Sequence, residues 1–240
     1  MGSLVLSLLP LSLGIIMSPL AIMALVAVLL SKQARRNGVA FLLGWAVAIV
    51  LLLSVSFAIF SAIEVREVGD PPVWVPVVRL VLALLFIVGG IYVYRRGRVH
   101  LVAMSHAKNP TQVAQAAPQL PGWLRAVETF TPARSFLLGL GIFALNPVDA
   151  SCAILAALDV RLSGLDGTTV TIVFVVFAIL GILPIAIPVV LVLVKREAAD
   201  PALGAIKRWI ASHTGLLNAL LLFVIAALQL QKAVSGFLAL

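Results

Sequence analysis

Ser18-Pro19 and Asn146-Pro147 each place a proline, preceded by a small polar residue, near the middle of a long apolar segment, and Asp149 follows the second proline within one turn. Proline has no N–H to offer the carbonyl four residues back, so the sequence predicts that the Ile15 and Phe143 carbonyls are left free. A hydroxyl, a carboxamide, a carboxylate and free carbonyls at such depth could bind a polar head group or exchange a proton. At helical spacing Asn146 and Asp149 share a face, which Ala150, Ala153 and Ala157 extend with small residues. An acid inside an apolar segment is by default a functional residue. Its structural alternative is a carboxylate near the outer end that reaches water or caps an amide of the broken helix. Ser7, Gly14, Ser18 and Ala21 form a similar small-residue face in the first segment, meeting the break at Pro19; the alternative is that small residues only let helices approach closely, as Ala40, Gly44 and Ala48 are expected to do in the second segment.

A second tier of residues is less specific. Gly181, Pro184 and Pro188 should kink the fifth apolar segment and free the Leu180 and Pro184 carbonyls, as in a hinge. Arg79, one turn into the third segment, is expected to snorkel to the outer interface; pairing with Asp149 or an outer acid would instead make it part of the site. Asn218 and Gln229 share a face of the sixth segment, as polar lining or as interhelical hydrogen-bonding groups. Cys152 reads as a small apolar residue in a packed helix, and one cysteine excludes an intrachain disulfide. His100, His106 and His213 lack metal-ligand spacing, so no metal is expected. No phosphate loop, nucleophile elbow or zinc-helix motif is found, and neither an enzyme nor a cofactor is expected.

The elements that must position these residues follow from hydropathy. The 240 residues are 62% hydrophobic and 11% charged, with a mean hydropathy of +1.19. Apolar stretches this long mark an integral membrane protein, and windows of about 20 residues predict six spans. These are residues 4–30, 38–60, 76–94, 135–158, 168–194 and 215–234. The first has no basic residue before it and no convincing cleavage site, so it reads as a retained span and not as a signal peptide.

Net charge is +8, yet its distribution does not suggest nucleic acid. Thirteen of the 17 Lys and Arg lie in the loops after spans one, three and five, whereas the other two connections carry Arg66 and Arg161 beside Glu64, Glu67, Asp70, Asp159 and Asp166. The positive-inside rule then places the three basic loops in the cytoplasm and both termini outside, with the basic residues touching anionic lipid heads.

Three spans, a long loop and three spans of opposite sense have the layout of an inverted repeat: 1–94 is one half, 95–134 the cytoplasmic loop and 135–240 the other half. Aligning Pro19 with Pro147 brings a basic turn at Asn37-Gly38 near the turn at Asp166-Gly167. The loop has no apolar period through Gln119 and is expected to be mobile. Trp123, Leu124, Val127 and Phe130 then recur at helical spacing, as in a short interfacial helix, and residues 202–213 read the same way. Such helices anchor a protein at the surface; a gating or lipid-handling role is the alternative.

Several of these features resemble a known family. The central proline of span one, Ser31-Lys32-Gln33-Ala34-Arg35-Arg36-Asn37-Gly38, Phe41-Leu42-Leu43-Gly44-Trp45, Leu145-Asn146-Pro147 and the Pro-x-Trp-Leu stretch at Pro121 to Leu124 occur in order across the chain. Together they resemble the peptidoglycolipid-addressing (GAP) family of actinobacteria, within the lysine-exporter superfamily. The resemblance implies a six-helix protein of two inverted halves, involved in moving envelope lipids or glycolipids across the cytoplasmic membrane. Relatives often follow the Asn-Pro pair with lysine and asparagine, whereas Val148 and Asp149 stand here; gaining an acid would alter the substrate or coupling ion.

The leading expectation is a transporter or flippase for an envelope lipid, glycolipid or related amphiphile in the inner membrane. Its site lies between spans one and four, with Asp149 exchanging a proton. The alternatives are an exporter of small cationic solutes or amino acids, with Asp149 as counter-charge, and a non-transporting accessory subunit of an envelope-synthesis complex. Homo-oligomerisation or an envelope-synthesis partner is compatible with each.

Overall fold

The computed structural model describes residues 2–29, 31, 33–63, 72–105, 130–195 and 200–238. Among the described residues there are eight helices and no strand: α1 (Gly2–Ile16), α2 (Pro19–Leu29), α3 (Ala34–Ala62), α4 (Trp74–Ser105), α5 (Pro132–Leu145), α6 (Pro147–Arg161), α7 (Gly167–Lys195) and α8 (Asp200–Leu238). Four helices are long and apolar enough to cross a bilayer, and the count rises to six if each bent pair, α1–α2 and α5–α6, is one span. The bends are 42° and 68° and fall at Ser18-Pro19 and Asn146-Pro147, where the missing proline N–H interrupts the ladder.

The two breaks are satisfied differently. At the first, the Ser18 amide turns back to the Ile15 carbonyl at 3.1 Å, so that carbonyl is not free as the sequence suggested: a tighter turn replaces the bond proline cannot make. At the second, the Asn146 amide reaches the Ile142 carbonyl at 3.1 Å, and the Asn146 side chain caps α6 by accepting from the Val148 amide, also at 3.1 Å. In α7, by contrast, Pro184 and Pro188 lie within one continuous helix.

Two boundaries differ from the sequence reading. Asn37-Gly38 is not a turn but part of α3, which already starts at Ala34; Asn37 is fully buried and its carboxamide donates to the Phe130 carbonyl at 2.8 Å. Helix α4 continues past Arg95 to Ser105, because the segment beyond the apolar window holds no proline to stop it. Residues 202–213 are continuous with the sixth apolar segment in α8. The interfacial helix expected around Trp123, Leu124 and Val127 lies outside the described residues, as does the loop from 106 to 119.

Packing runs mainly between the two halves of the chain. Helix α4 lies along α8, α3 along α5, and α1 along α6 and α7. Between apolar spans there is little hydrophobic drive to associate, so close approach and buried hydrogen bonds carry the assembly. Gly44 of α3 sits on the backbone carbonyl of Phe136, and Gly139 of α5 sits on that of Phe41; a Cβ at either glycine would collide with backbone. Around this contact Phe41, Trp45 and Phe143 are fully buried, and the Trp45 and Phe143 rings meet edge to face at 4.9 Å. Leu43, Val88, Ile187 and Leu145 are among many large apolar side chains exposed on the outer faces, where hydrocarbon is their natural solvent.

Candidate functional site

The two helix breaks meet. Ser18, 131 residues away in sequence, donates its hydroxyl to Oδ2 of Asp149 at 2.8 Å. The Asn146 carboxamide donates to the same oxygen at 2.6 Å and, more weakly, to Ser18 Oγ at 3.4 Å. Asp149 is 0% exposed, which removes the alternative that it reaches water at the outer end. Capping of α6 also falls to Asn146, so the carboxylate is not consumed by the backbone. Oδ2 takes both hydrogen bonds while Oδ1, also buried, has no partner among the described residues. An acceptor buried without a partner is costly unless it is protonated or binds a ligand. Chemically the cluster can exchange a proton, hold a small cation or accept a donor from a polar head.

The small face of α1 positions this cluster. A methyl group on Gly14 would strike Sγ of Cys152, one turn along α6 from Asp149, so glycine and a small thiol let the helices close. Farther along, Lys232 of α8 donates to Ser7 at 2.9 Å and to Asp159 at 2.7 Å. Residue numbers rise along α1 as they fall along α6, so the two helices pack antiparallel.

That far end holds a second charged cluster. Arg79 is 5% exposed and does not snorkel: it forms an ion pair with Asp159 at 2.6 Å and donates to Gln229 Oε1 at 2.9 Å. Its partner is Asp159 and not Asp149. Asp159, expected in an outer connection, is inside α6 and 6% exposed, because the helix runs to Arg161 and two cations converge on its carboxylate. Lys232 was not singled out by sequence reasoning. The available signal was an ammonium three residues after Gln229 in an otherwise apolar segment. The remaining candidates make no hydrogen bond to either cluster among the described residues, although Gly181 packs against Ile15, whose carbonyl accepts the Ser18 amide. Asn218 is buried, its Oδ1 without a partner among the described residues. Gly181 contributes its carbonyl to the Trp45 indole N–H at 3.0 Å, one turn before the prolines of α7. Among the described residues no group of three His, Cys, Asp or Glu could hold a metal.

Among the described residues the fold is a helical bundle with four to six candidate spans, which defines the class as a multi-pass membrane protein, and it carries a buried polar cluster where its two broken helices meet. Residues 8–235 match the family model described as Sap, sulfolipid-1-addressing protein, and the chain belongs to this family. This agrees with the resemblance to lipid-addressing proteins read from its motifs. No curated protein and no solved structure matches the chain.

Proposed function

We propose that this protein is a transporter or flippase that moves an envelope lipid, glycolipid or related amphiphile across the cytoplasmic membrane, with Ser18, Asn146 and Asp149 as its central polar site. The observation that carries this reading is the junction of the two proline breaks in one buried cluster, Asp149 Oδ1 having no partner among the described residues. Discontinuous helices meeting at depth are a recurrent way of building a transport site. The family name, with its sulfolipid, supports an amphiphilic substrate. Bends below 90° keep each helix pair progressing in one direction, which supports one span per pair and six spans in all. Antiparallel packing of α1 on α6, and contacts mostly between the halves, support an inverted repeat. Six spans put both termini on one side, and the basic loops after spans one, three and five favour that side being the outside; the mechanism invokes no enzymatic step.

In this mechanism Asp149 exchanges a proton, Ser18 and Asn146 hold its carboxylate, and Gly181, Pro184 and Pro188 let α7 flex. The test is translocation of a fluorescent lipid in proteoliposomes under an imposed pH gradient. Asp149→Asn, which keeps the shape, should abolish gradient-driven movement while the protein still folds; unchanged movement would sink the coupling role. The unpartnered Oδ1 also favours a second reading, export of a small cationic solute, with Asp149 as counter-charge. Gradient-driven movement of labelled lysine, and none of lipid, would select it. An accessory subunit of an envelope-synthesis complex would move neither.

A further inference from the structure

At the basic end of α3 a groove of about 490 Å³ is walled by Arg35, Arg36, Val39, Ala40 and Leu43, with Pro132 of α5 and Leu193 of α7 opposite. The groove is an open depression on the bundle surface, of a size to seat a head group and part of one acyl chain and not a whole lipid. Its two ends differ in chemistry. Arg35 and Arg36 are exposed in the first turn of α3, whereas Val39, Ala40 and Leu43 follow at three- and four-residue spacing and continue the same face with apolar groups. Leu43 and Leu193 are themselves exposed, so the groove opens sideways to the surroundings of the bundle.

Charge complementarity selects the occupant. The stretches that wall the groove also carry Arg134, two residues after Pro132, and Lys195, two after Leu193, and residues 33–43, 130–140 and 189–195 contain no Asp or Glu. The Gln33 side chain makes no capping hydrogen bond to α3, so the positive end of that helix is not answered by a side-chain acceptor there. Two guanidinium forks can each grip a phosphate with paired N–H donors, which a lysine cannot do.

We propose that this groove is a binding site for an anionic glycerophospholipid of the adjoining leaflet. Its phosphate is held by Arg35 and Arg36, and an acyl chain lies along Val39, Ala40 and Leu43 against Leu193. This site is separate from the Ser18–Asn146–Asp149 cluster and does not depend on the transport reading. A resident lipid here would tie the start of α3 to α5 and α7.

The experiment is native mass spectrometry of the full chain in a neutral detergent, titrated with dioleoyl phosphatidylglycerol or dioleoyl phosphatidylcholine. Wild-type protein should retain phosphatidylglycerol about 30-fold more tightly, given the attraction of two cations near a surface. Arg35→Gln with Arg36→Gln should bring retention down to the phosphatidylcholine level. Ala40→Trp, which fills the groove and leaves both arginines, should reduce binding of phosphatidylglycerol as well. Both sites are solvent-facing or half-buried, and a thermal melt of each variant checks its fold. Equal retention of the two lipids, or phosphatidylglycerol binding unchanged in either variant, overturns the proposal. So does inorganic phosphate displacing the lipid completely at millimolar concentration, which would mark a simple anion site.

Discussion

The Ser18 hydroxyl and the Asp149 carboxylate lie 2.8 Å apart although one belongs to the start of the chain and the other to its second half. The bond ties the end of one broken helix to the first turn of another. It also belongs to a register: Gly14 lies against Cys152, and Ser7 and Asp159 share the ammonium of Lys232. At three levels of the seam, small residues of the first broken helix therefore face polar or small residues of α6. The proposed transport site and the buried charge cluster are two stations on it.

Asp159 should be essential to stability in a way that Asp149 is not. Its carboxylate answers both Arg79 and Lys232, and Asp159→Asn would leave two cations, one of them almost wholly buried. Breaking such a pair costs about 3–5 kcal/mol. Thermal unfolding in detergent should show a loss of that order, whereas replacing Asp159, Arg79 and Lys232 together by Leu, Met and Met should recover most of it. A single-variant loss within the error of the measurement would mean that water reaches the cluster.

Trp45 couples the proline-containing helix to the broken one. Its indole N–H donates to Gly181, and its ring edge meets Phe143, whose carbonyl Pro147 cannot serve. Trp45→Phe keeps most of the apolar contact and deletes the donor, a change of about 1 kcal/mol. Trp45→Ala should cost about 3–5 kcal/mol. With four tryptophans in the chain, the emission lost between wild type and Trp45→Phe should be that of a buried indole, and hydrogen exchange around Gly181 should accelerate in the phenylalanine variant.

Gly44 and Gly139 should not tolerate even alanine. The atoms in the way are the Phe136 and Phe41 carbonyls, which cannot rotate aside as a side chain would. Overpacking of this kind costs about 1–3 kcal/mol or more. Gly141, with open space at its Cβ position, is the control: Gly141→Ala should leave the melting temperature nearly unchanged or raise it.

Asp166 caps α7, accepting from the Thr169 hydroxyl at 2.5 Å and from the Thr168 and Thr169 amides at 3.0 and 3.1 Å. The Thr169 hydroxyl, followed by its amide, holds this carboxyl below its ordinary value. A depressed folded-state value contributes stability above the unfolded carboxylate range and loses it as pH falls through the lowered value. The melting difference between wild type and Asp166→Ala should therefore be fully present at neutral pH and shrink only in acid. A difference that grows on acidification would contradict the cap.

Much of the architecture was legible because the bilayer imposes length and hydropathy on each span. The proline breaks were also legible, since proline's missing N–H acts locally. The sequence misplaced Asp159 by treating the hydropathy edge as the helix end; buried ion pairing extends the helix instead. Asn37 was misread for the same kind of reason. Its polarity suggested a turn, while its buried partner, Phe130, is distant in sequence.

By itself, then, the chain determined its membrane class, its apolar segments, the positions of the two breaks and the presence of an acid beside the second. Those are properties of neighbouring residues and of the solvent they require. Only the tertiary structure decided that Ser18 and Asn146 both serve Asp149, that Arg79 belongs to Asp159 and that Lys232 joins them. Such pairings depend on which helix faces lie together, and that is settled by close packing across the bundle, through contacts such as Gly44 on Phe136 and Gly14 against Cys152.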